Sequence, residues 1–157
     1  MDDLYHEIIL DHYKSPRHRA SDLDGAQVHV HHSNPLCGDE LDLRLRVADD
    51  HVDGLAFDGD GCSISMASAS AMSEAVVGRD LADAEDLAEA FRLMMHGEDL
   101  TREDDLRDGI AFQGVAQYPV RVKCALLGWM ALRDAISSYR AGDAQLEVTH
   151  EDAEPRT

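Results

Sequence analysis

Apolar and polar residues alternate along three segments between positions 28 and 57, and this pattern predicts three β-strands. Side chains on a strand point to opposite faces in turn, so the alternation is typical of strands with one buried face. The apolar members are Val28, Val30, Leu41, Leu43, Leu45, Val47, Leu55 and Phe57. Asp49 and Asp50 offer turn chemistry between the second and third segments. The expected arrangement is a three-stranded antiparallel meander.

Apolar residues at helical spacing predict a first and a last helix around this meander. Tyr5, Ile9 and Tyr13 recur every four residues and end before Pro16, which indicates an amphipathic N-terminal helix. The last helix should begin at Pro119, because proline at the first helical position loses no intrahelical hydrogen bond. Its apolar stripe consists of Val122, Leu126, Trp129 and Ile136.

Two further helices are predicted between the meander and the last helix. Ser63 is a plausible N-cap for the first of them, whose many small residues allow another element to approach closely. The second should run from an N-cap at about Asp83 to Gly97. Residues 98–118 are polar and have no sustained period, so we expect a loop with at most a short turn of helix. This segment resembles an insertion.

Together these elements predict an α+β fold, in which a three-stranded antiparallel sheet packs against about four to five helices. We expect one domain over residues 1–141 and an acidic, disordered C-terminal tail over residues 142–157. The start of the chain has no basic apolar leader, and no apolar run approaches the ~20 residues that span a bilayer. The prediction is therefore a cytoplasmic protein that does not associate with membranes.

The net charge of the chain indicates which kinds of partner its surface can bind. The formal net charge is -18, from 32 acidic and 14 basic residues, of which only Lys14 and Lys123 are lysines. Such a surface repels polyanions, so nucleic acid is not an expected partner. Abundant acid with scarce lysine is a pattern of halophilic proteins. An acidic face that docks a basic partner is the alternative interpretation, and the two are compatible.

Three cysteines supply the candidate chemistry. An odd count in a reducing compartment argues against a disulfide framework, which leaves metal binding, thiol chemistry or packing as small apolar residues. Cys37, Cys62 and Cys124 all fall at predicted ends of secondary-structure elements, where ligands from different elements can converge. Asp39 lies two residues after Cys37 and could turn its carboxylate to the same point. Three thiolates and one carboxylate would suit tetrahedral Zn²⁺.

The residues around each cysteine resemble those of the IscU-like family of iron-sulfur scaffold and sulfur-transfer proteins, over roughly residues 4–140. The matching motifs are Asp11-His12-Tyr13-Lys14-Ser15-Pro16-Arg17, Asn34-Pro35-Leu36-Cys37-Gly38-Asp39, Gly59-Asp60-Gly61-Cys62-Ser63-Ile64-Ser65 and Arg121-Val122-Lys123-Cys124. Cluster scaffolds of this family usually carry histidine just before the third cysteine, whereas this chain has Lys123. That departure and the long segment before Pro119 are similar to the SufU branch.

The resemblance implies an IscU/SufU-like fold and a specific function in iron-sulfur cluster biogenesis. The zinc ligands implied are Cys37, Asp39, Cys62 and Cys124. A cysteine desulfurase that uses pyridoxal phosphate, of the SufS type, would hand persulfide sulfur to Cys37, for delivery to a downstream Suf scaffold complex. The resemblance also implies that Cys37 leaves the metal for this transfer, its place being taken by a histidine of the desulfurase.

Two other functions stay open at this point. The same cysteines could assemble a [2Fe-2S] cluster or bind iron as a scaffold, although Lys123 in place of histidine weighs against it. A zinc module that only stabilises the fold is the second alternative, but an aspartate ligand is more typical of an exchangeable site. A colourless protein with about one zinc would favour sulfur transfer, and a brown protein with iron and sulfide would favour the scaffold.

Several other residues are of types found at metal or binding sites. Arg121 and Lys123 could offset the negative charge of the proposed site, or they could be solvated surface cations. His29, His31 and His32 invite a metal hypothesis, but no other part of the pattern converges on them, so ordinary strand or surface histidines are expected. Met94, Met95 and Trp129 are expected in the core.

Overall fold

The computed structural model of the chain describes residues 3–35 and 38–149, and only the backbone for 146–149. The helices are α1 (Asp3–Lys14), α2 (Ser63–Val76), α3 (Leu81–Met95), α4 (Glu103–Leu106) and α5 (Pro119–Ala141), with a 3₁₀ segment at Arg107–Gln117. The strands are β1 (Val28–Asn34), β2 (Asp39–Ala48), β3 (His51–Asp60) and β4 (Gln145–Thr149).

The three antiparallel strands predicted from the alternating pattern are confirmed. In the described part of the chain they lie in one sheet of order β3-β2-β1-β4, in which β2 pairs with both β1 and β3. Leu43 stands opposite Val30 on one side and Phe57 on the other, so the apolar positions of three strands share one buried face. Asp49 and Asp50 form the predicted turn, both with positive φ, which Asp tolerates better than most residues.

A fourth strand, β4, extends the sheet beside β1. It runs parallel to β1, and its backbone pairs from His29↔Gln145 to Ser33↔Thr149. The segment does alternate, with Leu146 and Val148 between polar residues, but two apolar positions at the start of an acidic C-terminal stretch are too short a run to predict a strand. Part of the segment predicted to be disordered is thus ordered in the structure, and residues 150–157 lie outside the described residues.

The helices cover the apolar face of the sheet and enclose the core. Helix α5 packs against α2 where the backbone of Gly128 meets Ala69, and a Cβ at position 128 would lie 3.0 Å from both Cα and Cβ of Ala69. The small residues of α2 therefore allow the close approach that the sequence predicts. Phe91 of α3 stacks on Trp129 with ring centroids 4.5 Å apart, and Met94 and Met95 are buried, as expected.

The structure corrects two predicted helix starts. The N-cap of α2 is Cys62 instead of Ser63, and the N-cap of α3 is Asp80, whose carboxylate accepts the Asp83 backbone N–H at 2.7 Å. Both Asp80 and Asp83 fit the composition of a helix start, and the sequence did not distinguish the cap from the third helical position.

Residues 98–118 contain more structure than the predicted loop. Helix α4 and the 3₁₀ segment occupy most of the interval, and Leu106, Phe112 and Val115 bury their side chains. Apolar residues spaced for a 3₁₀ helix give only a weak periodic signal in sequence, which explains the difference. Among the described residues, none of the helices is both long and apolar enough to cross a lipid bilayer.

Candidate metal centre

Asp39, Cys62 and Cys124 converge at one end of the sheet. Asp39 is the first residue of β2, Cys62 is the N-cap of α2, and Cys124 lies in the second turn of α5. One ligand atom from each, a carboxylate oxygen or a thiol sulfur, lies within 4.8 Å of the other two. Three of the four residues predicted as ligands are therefore brought together, and the fourth, Cys37, lies outside the described residues.

The backbone holds Asp39 and Cys62 in register with each other. The Cys62 N–H donates to Oδ1 of Asp39 at 3.0 Å, and Oδ2 of the same carboxylate lies 3.8 Å from the Cys62 sulfur. Asp39 is only 2% exposed, so this carboxylate is kept from solvent and fixed by a protein partner. Oδ1 of Asp39 is held by the backbone hydrogen bond, while Oδ2 faces the Cys62 sulfur.

The start of α2 supplies hydrogen-bond donors to the cluster. Ser65 directs its hydroxyl to the carbonyl oxygen of Cys62 at 3.0 Å, and the same hydroxyl lies 3.6 Å from the Cys62 sulfur. A Cβ at Gly61 would collide with the Ser65 hydroxyl and would reach within 2.9 Å of the Met66 methyl group, so a larger residue here would displace the Ser65 side chain from Cys62. The tight packing of this glycine keeps the first turn of α2 against Asp39.

The two described cysteines shift each other's pKa in opposite directions. A hydrogen bond from Cys124 lowers the pKa of Cys62, burial acts against this, and the backbone and hydroxyl of Ser65 lower that pKa further. The pKa of Cys124 is raised, first by its hydrogen bond to Cys62, then by burial and by the charges of Cys62 and Asp39. A second thiolate here would stand beside like charge in a buried site, and this repulsion disfavours deprotonation of Cys124.

A divalent cation would offset the repulsion among the negative charges of Asp39, Cys62 and Cys124, and the donor set fits zinc. Two sulfurs and a carboxylate oxygen are ordinary Zn²⁺ ligands, and bonds of about 2.0–2.3 Å in a tetrahedron place ligand atoms roughly 3.5–3.8 Å apart. The 3.8 Å between Asp39 Oδ2 and the Cys62 sulfur matches that spacing. These three residues leave one tetrahedral position for a further ligand.

A family comparison decides where this chain belongs. The model of the family described as the NifU-like N-terminal domain matches residues 4–125, which include every residue of this cluster. The chain belongs to the NifU-like N-terminal domain family. The resemblance found in the sequence motifs is thereby confirmed.

Relatives of this NifU-like chain share most of its length. It is 41% identical to the zinc-dependent sulfurtransferase SufU of Bacillus subtilis (strain 168), over 91% of this chain and 96% of that protein. Identity to the iron-sulfur cluster assembly scaffold protein IscU of Streptococcus pyogenes serotype M1 is 38%, over 92% of this chain and 89% of that protein.

A solved structure gives the same fold. The putative iron-sulfur cluster assembly scaffold protein for the SUF system from Fervidobacterium islandicum AW-1 superposes with a TM-score of 0.71 at 32% identity, over 83% of this chain and 94% of that chain. The predicted α+β fold is therefore that of the NifU-like family.

Two cations, Arg121 and Lys123, precede the third cysteine of this NifU-like chain. Arg121 is exposed and Lys123 is half-buried, on either side of the inward-facing Val122. On a helix, residues 121 and 124 share a face, so Arg121 stands above Cys124 at the solvent side. Their contribution to the charge of the site stays a prediction.

The three neighbouring histidines of β1 divide between the two faces of the sheet. His29 Nε2 and His31 Nδ1 both point at Oδ1 of Asp42, at 2.7 and 3.0 Å. His32 is buried on the other face, where its Nε2 lies 2.9 Å from Oδ2 of Asp134 on α5. None of the three histidines belongs to the described cluster of Asp39, Cys62 and Cys124.

His12 is a buried polar residue to which the sequence pattern assigned no role. Its ring is fully buried beneath α2 and bonds Ser70 and Asp108. Its position three residues after the buried Ile9, on the inner face of α1, was the available signal. The first motif of the family resemblance, residues 11–17, contains His12, but the sequence pattern does not predict which residues His12 contacts.

Proposed function

We propose that this chain is a zinc-dependent sulfur-transfer protein of iron-sulfur cluster biogenesis, with Cys37 as the sulfur acceptor. Zinc would be held by Asp39, Cys62, Cys124 and Cys37. The sulfur donor would be a cysteine desulfurase of the SufS type, which uses pyridoxal phosphate, and the product would go to a downstream Suf scaffold complex.

One observation carries the proposal: a buried carboxylate shares a site with two cysteines. The side chains of Asp39, Cys62 and Cys124 leave a fourth ligand position open. Cys37 is two residues before Asp39, and two residues of chain span at most about 7 Å, which is within reach of a common ion. Similarity to a relative named as a zinc-dependent sulfurtransferase supports the same conclusion.

The four proposed ligands differ in how firmly the chain holds them. Cys62 and Cys124 belong to α2 and α5, whose close packing fixes them, and Asp39 is tied to the Cys62 backbone. Cys37 follows Pro35 and precedes Gly38, whose φ is +74°, a conformation that glycine adopts without strain. We therefore assign the reactive role to Cys37 and the retaining role to the other three.

Transfer requires Cys37 as a thiolate. Bound zinc would supply the positive charge that keeps the Cys37 thiol deprotonated at neutral pH. The Cys37 thiolate attacks the outer sulfur of the desulfurase persulfide. A sulfur–sulfur bond then forms on Cys37, the one on the desulfurase breaks, and the desulfurase cysteine leaves as a thiolate. No net oxidation occurs in this exchange.

The surface beside the site suits a protein partner. Tyr118 and Val120, at the start of α5, are 53% and 72% exposed, and they are among the few large apolar side chains on the described surface. Exposed apolar residues beside a reactive group are typical of an interaction surface. Arg121 adds a cation at the same edge.

Metal analysis combined with desulfurase turnover tests the proposal. We expect the purified protein to be colourless, to hold about one zinc per chain, and to raise the turnover of a SufS-type desulfurase several-fold. Apo protein made with a chelator should lose this effect and regain it with zinc. A zinc-loaded protein that leaves desulfurase turnover unchanged would overturn the proposal.

The competing function is a cluster scaffold, which the relative named IscU favours. Its signature would be a brown protein that contains iron and sulfide on the same cysteines. If anaerobic reconstitution with iron and sulfide gave a stable [2Fe-2S] spectrum, and zinc blocked desulfurase stimulation instead of supporting it, the scaffold function would replace sulfur transfer.

A further inference from the structure

A second cluster of metal-binding side chains lies at the other end of α2. It consists of His12 on α1, Glu74 on α2 and Asp108 in the 3₁₀ segment, with one ligand atom from each within 4.8 Å of the others. His12 Nε2 lies 2.7 Å from Asp108 Oδ2 and 3.7 Å from Glu74 Oε1. Three separate elements thus point one nitrogen and two oxygens at the same place.

Ser70 orients the imidazole of His12 through the ring nitrogen that faces away from the carboxylates. Its Nδ1 lies 2.7 Å from the hydroxyl of Ser70, which also accepts the Arg17 backbone N–H at 2.8 Å. Nε2 donates to the Asp108 carboxylate, which can only accept, so Nε2 carries a proton in this structure. Because the Ser70 hydroxyl can accept as well as donate, the ring proton can move to Nδ1 when a cation takes the place of the proton on Nε2. Histidines that bind metals in proteins are held through the other ring nitrogen in this way.

The spacing of the ligand atoms fits a cation with bonds of about 2.1 Å. Such bonds at angles between 90° and 110° place the ligand atoms roughly 3.0–3.4 Å apart. The observed 2.7 and 3.7 Å bracket this range. Because Glu74 and Asp108 are 28% and 44% exposed, their side chains have room to adjust and a cation has a path from solvent.

The local charge also favours a cation. Two carboxylates and a neutral imidazole carry a formal charge of about 2 minus. Two cations lie nearby. Arg17 Nε is 3.6 Å from Glu74, but its Nη2 lies 2.6 Å from Asp11, which offsets its charge. The exposed Arg107 donates from Nη1 to the backbone carbonyl of Glu74 at 3.1 Å and is screened by solvent. The remaining negative charge matches a divalent ion.

We propose that His12, Glu74 and Asp108 form a second site, for a divalent first-row transition metal such as Mn²⁺ or Fe²⁺. Imidazole with carboxylates and water suits these ions, whereas the sulfur-rich site suits softer ones. Ser70 follows Cys62 by eight residues, so at 1.5 Å per residue the second site is displaced about 12 Å along α2. Because Asp108 belongs to the segment before Pro119, metal binding would also fasten that segment to α1 and α2.

Mn²⁺ is the probe for the experiment, since it disfavours thiolates and gives an electron paramagnetic resonance signal. The protein is used as purified, with its resident metal quantified before and after titration, in molar salt that suppresses general attraction to the acidic surface. Asp108→Asn and Glu74→Gln remove one ligand charge each at partly exposed positions. Asp104→Asn is the matched control, because Asp104 is exposed and makes the same charge change nearby.

We expect one saturable Mn²⁺ per chain with no loss of resident metal, and at least tenfold weaker binding in Asp108→Asn and in Glu74→Gln. Asp104→Asn should bind as the wild type does. Pulsed measurements on the bound Mn²⁺ should show ¹⁴N coupling from the His12 ring. The proposal is overturned if binding is not saturable, if all three variants bind alike, or if bound Mn²⁺ lacks the ¹⁴N coupling. Each result would leave His12 as a purely structural hydrogen-bonding group.

Discussion

The backbone N–H of Cys62 donates to Oδ1 of Asp39 at 3.0 Å, so a proposed ligand of the metal centre also holds the start of α2. This double role can be separated by substitution. Asn keeps an oxygen that accepts the N–H but loses the carboxylate charge, whereas Ala loses both.

For Asp39 we therefore predict different effects of Ala and Asn. Asp39→Ala should keep close to one zinc, since three thiolates with water still form a tetrahedral site, but it should stimulate the desulfurase less. Its free energy of unfolding should fall by about 1–3 kcal/mol, because the buried Cys62 N–H loses its acceptor. Asp39→Asn should share the loss of stimulation and show little of the instability. Zinc stoichiometry, turnover and urea unfolding measure the three effects. Loss of zinc from both variants would make Asp39 an essential ligand, and full stimulation by both would remove it from the transfer step.

The three cysteines should also differ on replacement. Cys37→Ala should abolish desulfurase stimulation yet retain some zinc, because Cys62 and Cys124 lie at the starts of two packed helices and keep their positions. Cys62→Ala or Cys124→Ala should lose the metal and lower the free energy of unfolding by roughly 3–4 kcal/mol, the linkage expected for a ligand at 100 to 1000 times its Kd.

Chelator-treated wild type is the control for the cysteine series, since it should match Cys62→Ala in stability without any substitution. If all three variants lost metal equally and Cys37→Ala still stimulated turnover, the special role of Cys37 would be wrong.

Close contact between α5 and α2 makes Gly128 sensitive to a single methyl group. Gly128→Ala gains about 1 kcal/mol of helix propensity but places a Cβ 3.0 Å from the Ala69 backbone, and such overpacking costs about 1–3 kcal/mol. We expect a net loss of about 1 kcal/mol in urea unfolding. Ser137→Ala, at an exposed position of the same helix, should leave stability nearly unchanged. A Gly128→Ala variant more stable than the wild type would show that α2 and α5 separate without cost.

Histidines on the outer sheet face predict a pH dependence of stability. Burial lowers the pKa of His31, but hydrogen bonding to Asp42 and the charges of Asp42 and Glu40 outweigh it, so that pKa is raised above its ordinary 6.5. Burial raises the pKa of Asp42, but the bonds from His29 and His31 leave it below its ordinary 3.8. The raised histidine contributes stability below 6.5 that is lost at higher pH, and the lowered carboxylate contributes stability above 3.8 that is lost in acid.

Both contributions to stability are therefore fully present between pH 3.8 and 6.5. His31→Gln should thus reduce the free energy of unfolding by roughly 0.5 kcal/mol at pH 5.5 and by less at pH 8.5, which is the scale of a partly exposed pair. Urea unfolding at both pH values checks this. An equal loss at both values would mean that the charge of His31 does not contribute.

The acidic composition predicts that salt stabilises the fold. Counterions relieve the repulsion among 32 acidic residues, while the network of Arg79, Asp83, Arg102 and Asp105 is weakened by the same screening. Because the net charge is -18, relief of the repulsion should exceed the weakening of these ion pairs. Tm should therefore rise by several degrees from low to molar KCl, at about 2–4 °C per kcal/mol. A flat or falling curve would favour a docking face as the reason for the acidity.

The sequence alone determined the elements whose pattern is local. The alternation from Leu41 to Val47 specified β2, and Pro119 specified the start of α5, because the burial of one strand face and the geometry of a first helical turn are encoded within a few residues. The motifs around the cysteines likewise indicate the family and the proposed ligands, because each motif is a short run of consecutive residues.

Which residues contact each other depends on how distant elements pack. Asp39, Cys62 and Cys124 are far apart in sequence, and it is the packing of α2, α5 and the sheet that brings their ligand atoms within 4.8 Å. The same holds for β4, which is a strand because β1 offers it a partner, and for His12, whose Ser70 and Asp108 contacts join elements 58 and 96 residues away. Contacts of this kind depend on how whole elements pack against each other, and no short pattern in the chain records that.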